Sequence, residues 1–290
     1  MTETENSHKL VGIPKIFYLN YDESCDKKKY MESQFAELGI CNYERISKNK
    51  YSEKNYDEWK NLIFNDELFF SKSDISTSII HLKTIIDWYD NDTSDYCIIM
   101  DDYVNIKLCN YWMFDWETLI NSLPYNWDCI QLFGVCKKTI PMHLRPKIKT
   151  TKSTSCYMIT RHFAKKIKHL HHINGKLKLH INTKDTQVQN FEYGTLEHFL
   201  YELGVSYSLP VFNLDKFLFS DMNGNDENIF TDILMKLGSE AIEYWWKAKS
   251  KQYSTYEFFT FNKNYDWKLE VQFDNESVWK DDTAKLLLWI

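Results

Sequence analysis

The sequence predicts an α/β protein: a mostly parallel, twisted sheet flanked by helices. Two patterns and one bulk property predict it. Short apolar, β-prone runs alternate along the chain with segments whose apolar residues recur at helical spacing. The runs close in polar turns, as strands do where loops leave a sheet. The 290 residues are also enough to bury a core without disulfide staples.

The first run, IPKIFYL (13–19), reads as a strand, and the polar turn NYDESCDKK leads into a helix over 26–38 with Met31, Phe35 and Leu38 on one face. A second helix carries Ile75, Ile79, Leu82, Ile85 and Tyr89, with Ser73 as its expected cap. After the break NDTSD, YCIIM (96–100) forms a short buried strand, and Asp101 and Asp102 stand at its carboxyl end. WETLINSL (116–123) follows as a helix, WDCIQLFG (127–134) and SCYMI (155–159) as strands, and TRHFAKKIKHL (160–170) as a helix capped by Thr160. Another helix is expected to start at the Thr195 cap, with Glu197 in its first turn. DMNGNDEN (221–228) reads as a joint, which divides the chain into a main domain, 1–228, and a C-terminal extension, 229–290, packed on it. That extension holds five of the ten tryptophans, expected as core material.

Composition narrows the function. A formal charge of −6 argues against a nucleic-acid coat, which must neutralise phosphates with Lys and Arg. Seven cysteines are scattered with no CxxC pair, the usage of a reducing compartment. No apolar stretch reaches bilayer length and no secretory leader is evident, so the expected location is the cytoplasm of a bacterium or of a virus-infected cell. The wealth of Tyr, Phe, Lys, Asn and Ile fits an AT-rich genome. The stretch KKTIPMHLRPKIKTTK (137–152), with six basic residues and no acid, is expected as a solvated loop; HLHH (169–172) lacks the spacing of a zinc site. Oligomeric state is not legible.

Two adjacent carboxylates repel, and each costs several kcal/mol to bury unpaired. Asp101 and Asp102 therefore leave two readings open: a solvated or capping turn, or a pair neutralised by Mg²⁺ or Mn²⁺, which favour oxygen ligands and leave positions for phosphate. Open α/β sheets bind ligands beyond the carboxyl ends of their strands, where Asn20 to Asp26 and the Asp pair both fall. A phospho-receiver reading with Asp101 as acceptor ranks last, because such domains place acids at the first strand, which here ends in Asn20-Tyr21-Asp22.

Several stretches, in order, resemble glycosyltransferase family 25, the lipopolysaccharide and procollagen galactosyltransferase group. IFYLNYDESCDKKKYMESQFAELGI is similar to the family's opening strand, Asn-Leu-Asp-Arg turn, Asp-Arg pair and helix closing on Leu-Gly-Ile; Asn20, Asp22, Asp26 and Lys27 match by position or charge, while Tyr21 and Glu23 differ. SIIHLKTI resembles its Ser-His-Leu-Lys helix through His81, Leu82 and Lys83. MDDYV resembles its Glu-Asp-Asp-Val motif, with Met100 at the first acid. WDCIQLFG, SCYMITRHFAKKI, TLEHFLYELGVSYSLPVF and FSDMNG resemble later segments, so the likeness spans about 13 to 224.

The resemblance implies a GT-A fold, a UDP-sugar donor, a Mn²⁺ or Mg²⁺ ion, and inverting transfer of galactose or glucose to a glycan or protein-linked hydroxyl. It implies Asp101 and Asp102 as metal ligands and places Asn20, Tyr21, Asp22, Lys27, His81 and Asp101 against the donor. Glu197 is the expected base and Asp221 the reserve, although a first-turn Glu also suits a helix dipole. The alternative is a catalytically decayed nucleotide-sugar or glycan-binding protein of the same fold.

Overall fold

The computed structural model describes residues 7–64, 71–136, 139–179, 195–215, 229–260 and 270–272. Its centre is a seven-stranded sheet built from β1 (Ile16–Asn20), β2 (Tyr43–Ser47), β3 (Tyr96–Asp101), β4 (Cys129–Gln131), β5 (Arg145–Pro146), β6 (Cys156–Thr160) and β7 (Ser206–Ser208). The spatial order is β2-β1-β3-β6-β4-β7-β5. β1 pairs in parallel with β2 and β3, and β4 with β7, whereas β6 runs against both β3 and β4, and β5 against β7. The sheet is thus mixed. β6 is reversed because the chain passes from β4 to β6 through a loop carrying β5, without the crossover helix that a parallel return needs.

β1 is buried along its whole length, and its side chains alternate between two cores. Ile16 and Tyr18 join Ile98 and Met100 on one face; Phe17 and Leu19 join Cys97 and Ile99 on the other. Among the helices of the described residues are α1 (Cys25–Glu37), α2 (Lys72–Asn91), α3 (Trp116–Ser122), α4 (Arg161–His171), α5 (Thr195–Glu197, continued by a π-turn over His198–Glu202), α6 (Ile229–Ala248) and α7 (Thr255–Phe259). α2 and α4 cover the second core, while α1, α6 and α7 cover the first. Within the expected extension, Trp245, Trp246 and Phe258 belong to the same core as β1.

Several expectations need adjustment. The cap of α2 is Ser71, whose Oγ accepts the Asp74 N–H at 3.1 Å, so the helix starts before Ser73. Thr160 does cap α4, accepting the Phe163 N–H at 3.2 Å. The side chain of Thr195, Asp221 and the 221–228 joint lie outside the described residues. The basic stretch is not simply a solvated loop: Ile140, Met142 and Leu144 are buried, and the Leu144 N–H donates to the Phe258 carbonyl. β2 carries little apolar signal because it is an edge strand, and it was not expected from the sequence. Asn174 and Gly175, both at positive φ, close a hairpin joining His172–Ile173 to Lys176–Leu177. All seven cysteines are free. Among the described residues, no helix is long and apolar enough to cross a membrane.

Candidate functional site at the carboxyl edge of the sheet

β1 and β3 end side by side, and their last residues meet. Asn20 is fully buried; its amide donates to Asp102 Oδ2 at 2.7 Å and to the Ser24 carbonyl at 3.2 Å, while its Oδ1 accepts from Arg45 Nε at 2.8 Å. Such a residue holds its neighbours in place and has no surface left for a ligand. The strand pleat sends Met100 into the first core and Asp101 towards α2. Asp101 accepts from Lys48 Nζ at 2.7 Å and from the Tyr103 hydroxyl at 2.9 Å. Both acids lie low in the edge, Asp101 at 8 % and Asp102 at 3 % exposure.

The two carboxylates titrate in opposite directions. Burial pushes Asp101 up, but the Lys48 ammonium, His81 and the hydrogen bonds from Lys48 and Tyr103 outweigh it and hold the carboxyl below its ordinary value. Burial dominates at Asp102, whose pKa is raised despite Lys48 and Asn20. Burial lowers Lys48 as well, yet Asp101 and Asp102 more than compensate, and the net shift is upward.

The other expected site residues surround this floor. Tyr21 is exposed, with the Lys48 ammonium 5.7 Å from its ring centre. Asp22 pairs with Arg45, accepts from Ser47 Oγ at 3.0 Å, and donates its N–H to Asn49 Oδ1 at 2.8 Å, which clamps the turn after β1 to the end of β2. Lys27 lies over the Tyr103 ring at 5.5 Å. His81 is buried behind Asp101; its Nδ1 lies 2.8 Å from the Tyr157 hydroxyl, and burial lowers its pKa to about 4.

Glu197 lies further along the same edge. Its Oε1 accepts the Ser153 N–H at 3.0 Å and its Oε2 is 3.6 Å from Lys152 Nζ. Ser153 has φ of 113°, rare for a residue with a side chain, and its buried carbonyl receives Gln131 Nε2 at 2.7 Å and the Tyr201 hydroxyl at 3.0 Å. Ser153 Oγ accepts the Ser155 N–H at 3.1 Å, the Ser155 carbonyl accepts the Asp101 N–H at 2.8 Å, and Ser155 Oγ is 3.4 Å from the Tyr103 hydroxyl. A continuous polar row therefore joins Glu197 to Asp101. Sequence reasoning missed Lys48, Arg45, Ser153 and Ser155. The available signal for the first two was the YERISK stretch, whose end reaches the same edge once it is read as a strand.

A divalent cation fits this set poorly. Each oxygen of Asp101 already accepts a hydrogen bond, and Oδ2 of Asp102 accepts one from Asn20, which leaves a single carboxylate oxygen without a described donor. Among the described residues, no group of three or more His, Cys, Asp or Glu side chains is arranged to hold a metal. Below the edge, a cleft of about 340 Å³ runs between β2 and α2, lined by Lys15, Arg45, Ser47, Lys50, Lys83 and Trp88 among others. Its lysines are partly neutralised by Lys15–Glu44 at 2.8 Å and Lys83–Asp87 at 3.2 Å.

No family model matches the chain, and no curated protein matches it. Among solved structures it is similar to HddC from Yersinia pseudotuberculosis, at 10% identity over 73% of this chain and 76% of that one, with a TM-score of 0.32, a likeness too slight to bear on function.

Proposed function

We propose that the protein is a glycosyltransferase with a GT-A-like arrangement that moves a hexose from a UDP-sugar to a hydroxyl of a glycan or glycoprotein, with inversion. The observation carrying this reading is the 2.7 Å bond from Asn20 to Asp102, which draws the carboxyl ends of β1 and β3 together, where open α/β sheets receive nucleotides. The rim supplies the matching chemistry. Lys27 and Lys48 can meet a diphosphate, exposed Tyr21 can stack on a base, and the spare oxygen of Asp102 can accept from a ribose hydroxyl.

In this reading Glu197 takes the proton from the attacking acceptor hydroxyl, and its position on the row leading to Asp101 supports that role. Incubation with a panel of nucleotide sugars is expected to release UDP, and Asp102→Ala to abolish the release. Neither hydrolysis nor transfer with any donor would count heavily against the reading. A second reading, binding without turnover, is favoured by the engagement of both Glu197 oxygens by Ser153 and Lys152. Calorimetric binding of a nucleotide sugar with no product formed would select it.

A further inference from the structure

Lys48 brings a positive charge onto the acid pair. Its ammonium lies 2.7 Å from Asp101 Oδ1, and its side chain is only 18% exposed. The reach is fixed at its base, because the Lys48 N–H donates to the Asn20 carbonyl at 2.9 Å and extends the β1–β2 ladder by one residue. A Mg²⁺ bound at about 2.1 Å to the oxygen that already accepts from Lys48 would stand only about 4 Å from the ammonium, so like-charge repulsion disfavours loading the ion while Lys48 stays in place. Charge also balances without a metal: Lys48 acts on both acids and Lys27 on Asp102, which sets two ammoniums against two carboxylates. The position that would supply a third acid is Met100, fully buried in the first core.

We propose that Lys48 is the resident cation of this site, that the Asp101–Asp102 pair takes neither Mn²⁺ nor Mg²⁺, and that a nucleoside diphosphate docks here on lysine charge alone. Only the last clause rests on the functional reading above. Lys48 neutralises the floor and presents its remaining N–H donors to the phosphates, with no ion to load or lose.

The test has two arms on the full chain. In the first, Mn²⁺ is titrated into the protein and the free ion is read by electron paramagnetic resonance. The wild type is expected to leave the signal undiminished. Lys48→Met keeps the stem, exposes the acids to the ion, and is expected to bind Mn²⁺ at least about tenfold more tightly than wild type and to melt higher in its presence, a gain lost on adding Asp102→Asn. A wild type that binds one Mn²⁺ and loses it in Asp102→Asn overturns the proposal. So does a folded Lys48→Met that gains no affinity; should that variant fail to fold, the wild type and Asp102→Asn decide alone.

In the second arm, UDP is titrated calorimetrically in EDTA and in Mn²⁺. Equal affinities support the proposal, and binding about tenfold tighter with Mn²⁺ overturns it while leaving the transferase reading intact. No UDP binding in either condition removes the docking clause together with that reading, and the Mn²⁺ titration then settles whether Lys48 is the cation of the acid pair.

Discussion

The acid floor at the ends of β1 and β3 and the aromatic seam beneath α6 are buried to similar depth and built on opposite rules. In the seam, Trp112, Phe114, Phe212, Trp245, Trp246 and Phe258 pack ring against ring, with Trp246 and Phe258 stacked at 5.3 Å. The seam's polar demand is small: Trp246 Nε1 donates to the Pro210 carbonyl at 2.9 Å and Trp112 Nε1 to the Val211 carbonyl at 3.2 Å. In the floor, each charged or amide group needs particular directional partners, some local, as Tyr103 is to Asp101, and some from far along the chain, Asn20 to Asp102 across 82 positions and Lys48 to Asp101 across 53. Apolar contact is non-directional, so a large ring finds a use in almost any core. A buried carboxylate is tolerable only where a donor stands within about 3 Å.

That contrast can be tested by removing one member of each region. Trp246→Ala should cost about 3–5 kcal/mol in urea unfolding, the range for deleting a buried aromatic. A cost below about 1 kcal/mol would mean that α6 does not share the core of the sheet. Lys48→Met should cost about 3 kcal/mol, because it strands a buried Asp101. The two regions differ in rescue: Lys48→Met with Asp101→Leu should recover most of that loss, since replacing a buried pair by apolar groups is often close to neutral. Failure of the double variant to recover would show that Asp101 is held chiefly by Tyr103 or His81.

Acid provides a comparison without mutation. His81 behind the floor, His171 beside Phe199 and the buried His143 are all kept neutral by burial, with pKa values lowered to about 4. The unfolded chain protonates these rings near pH 6.5 and the folded chain does not, so stability should fall as pH drops from about 6.5 towards 4, by up to about 3 kcal/mol for each ring. Asp101 works in a lower window: its carboxyl is depressed, so its contribution is present above the ordinary carboxylate range and is lost beneath it. His171→Asn retains a donor for the Lys178 carbonyl and should reduce the upper-window loss by one ring's share while leaving the lower window in place. An unchanged profile would place that titration elsewhere.

The same difference sets what the sequence could disclose. β1, β3, β4, β6, α1, α2 and α4 were legible because their buried faces repeat at two or at three-to-four positions. The Asp pair was legible as a site because two charges closing an apolar run demand a partner. The partner itself was not. Lys48 follows an edge strand with a single aliphatic residue, Ile46, and nothing in its neighbourhood marks it as the cation for an acid 53 positions later. Ser153 was hidden for a different reason: its role depends on a backbone angle of 113°, which glycine would have advertised and serine does not.

The smallest expected effect belongs to neither region and calibrates both. α2 spans the second core and brings His81 behind Asp101, so its register matters to the floor, but its first turn is exposed. Spacing alone suggested Ser73 as the cap, because the apolar stripe begins at Ile75. The structure gives the role to Ser71, whose extended backbone and Oγ leave it facing the Asp74 N–H at 3.1 Å, while Asp74 returns an acceptor for the Ser71 hydroxyl at 2.7 Å. Ser71→Ala should therefore cost about 1 kcal/mol and Ser73→Ala no more than about 0.5 kcal/mol. Because the cap is local, Ser71→Ala should add to Trp246→Ala and to Lys48→Met within about 0.5 kcal/mol. A larger coupling with Lys48→Met than with Trp246→Ala would mean that the start of α2 helps set the acid floor, and that the partners stabilising the two aspartates extend further along the chain than Lys48, Asn20 and Tyr103.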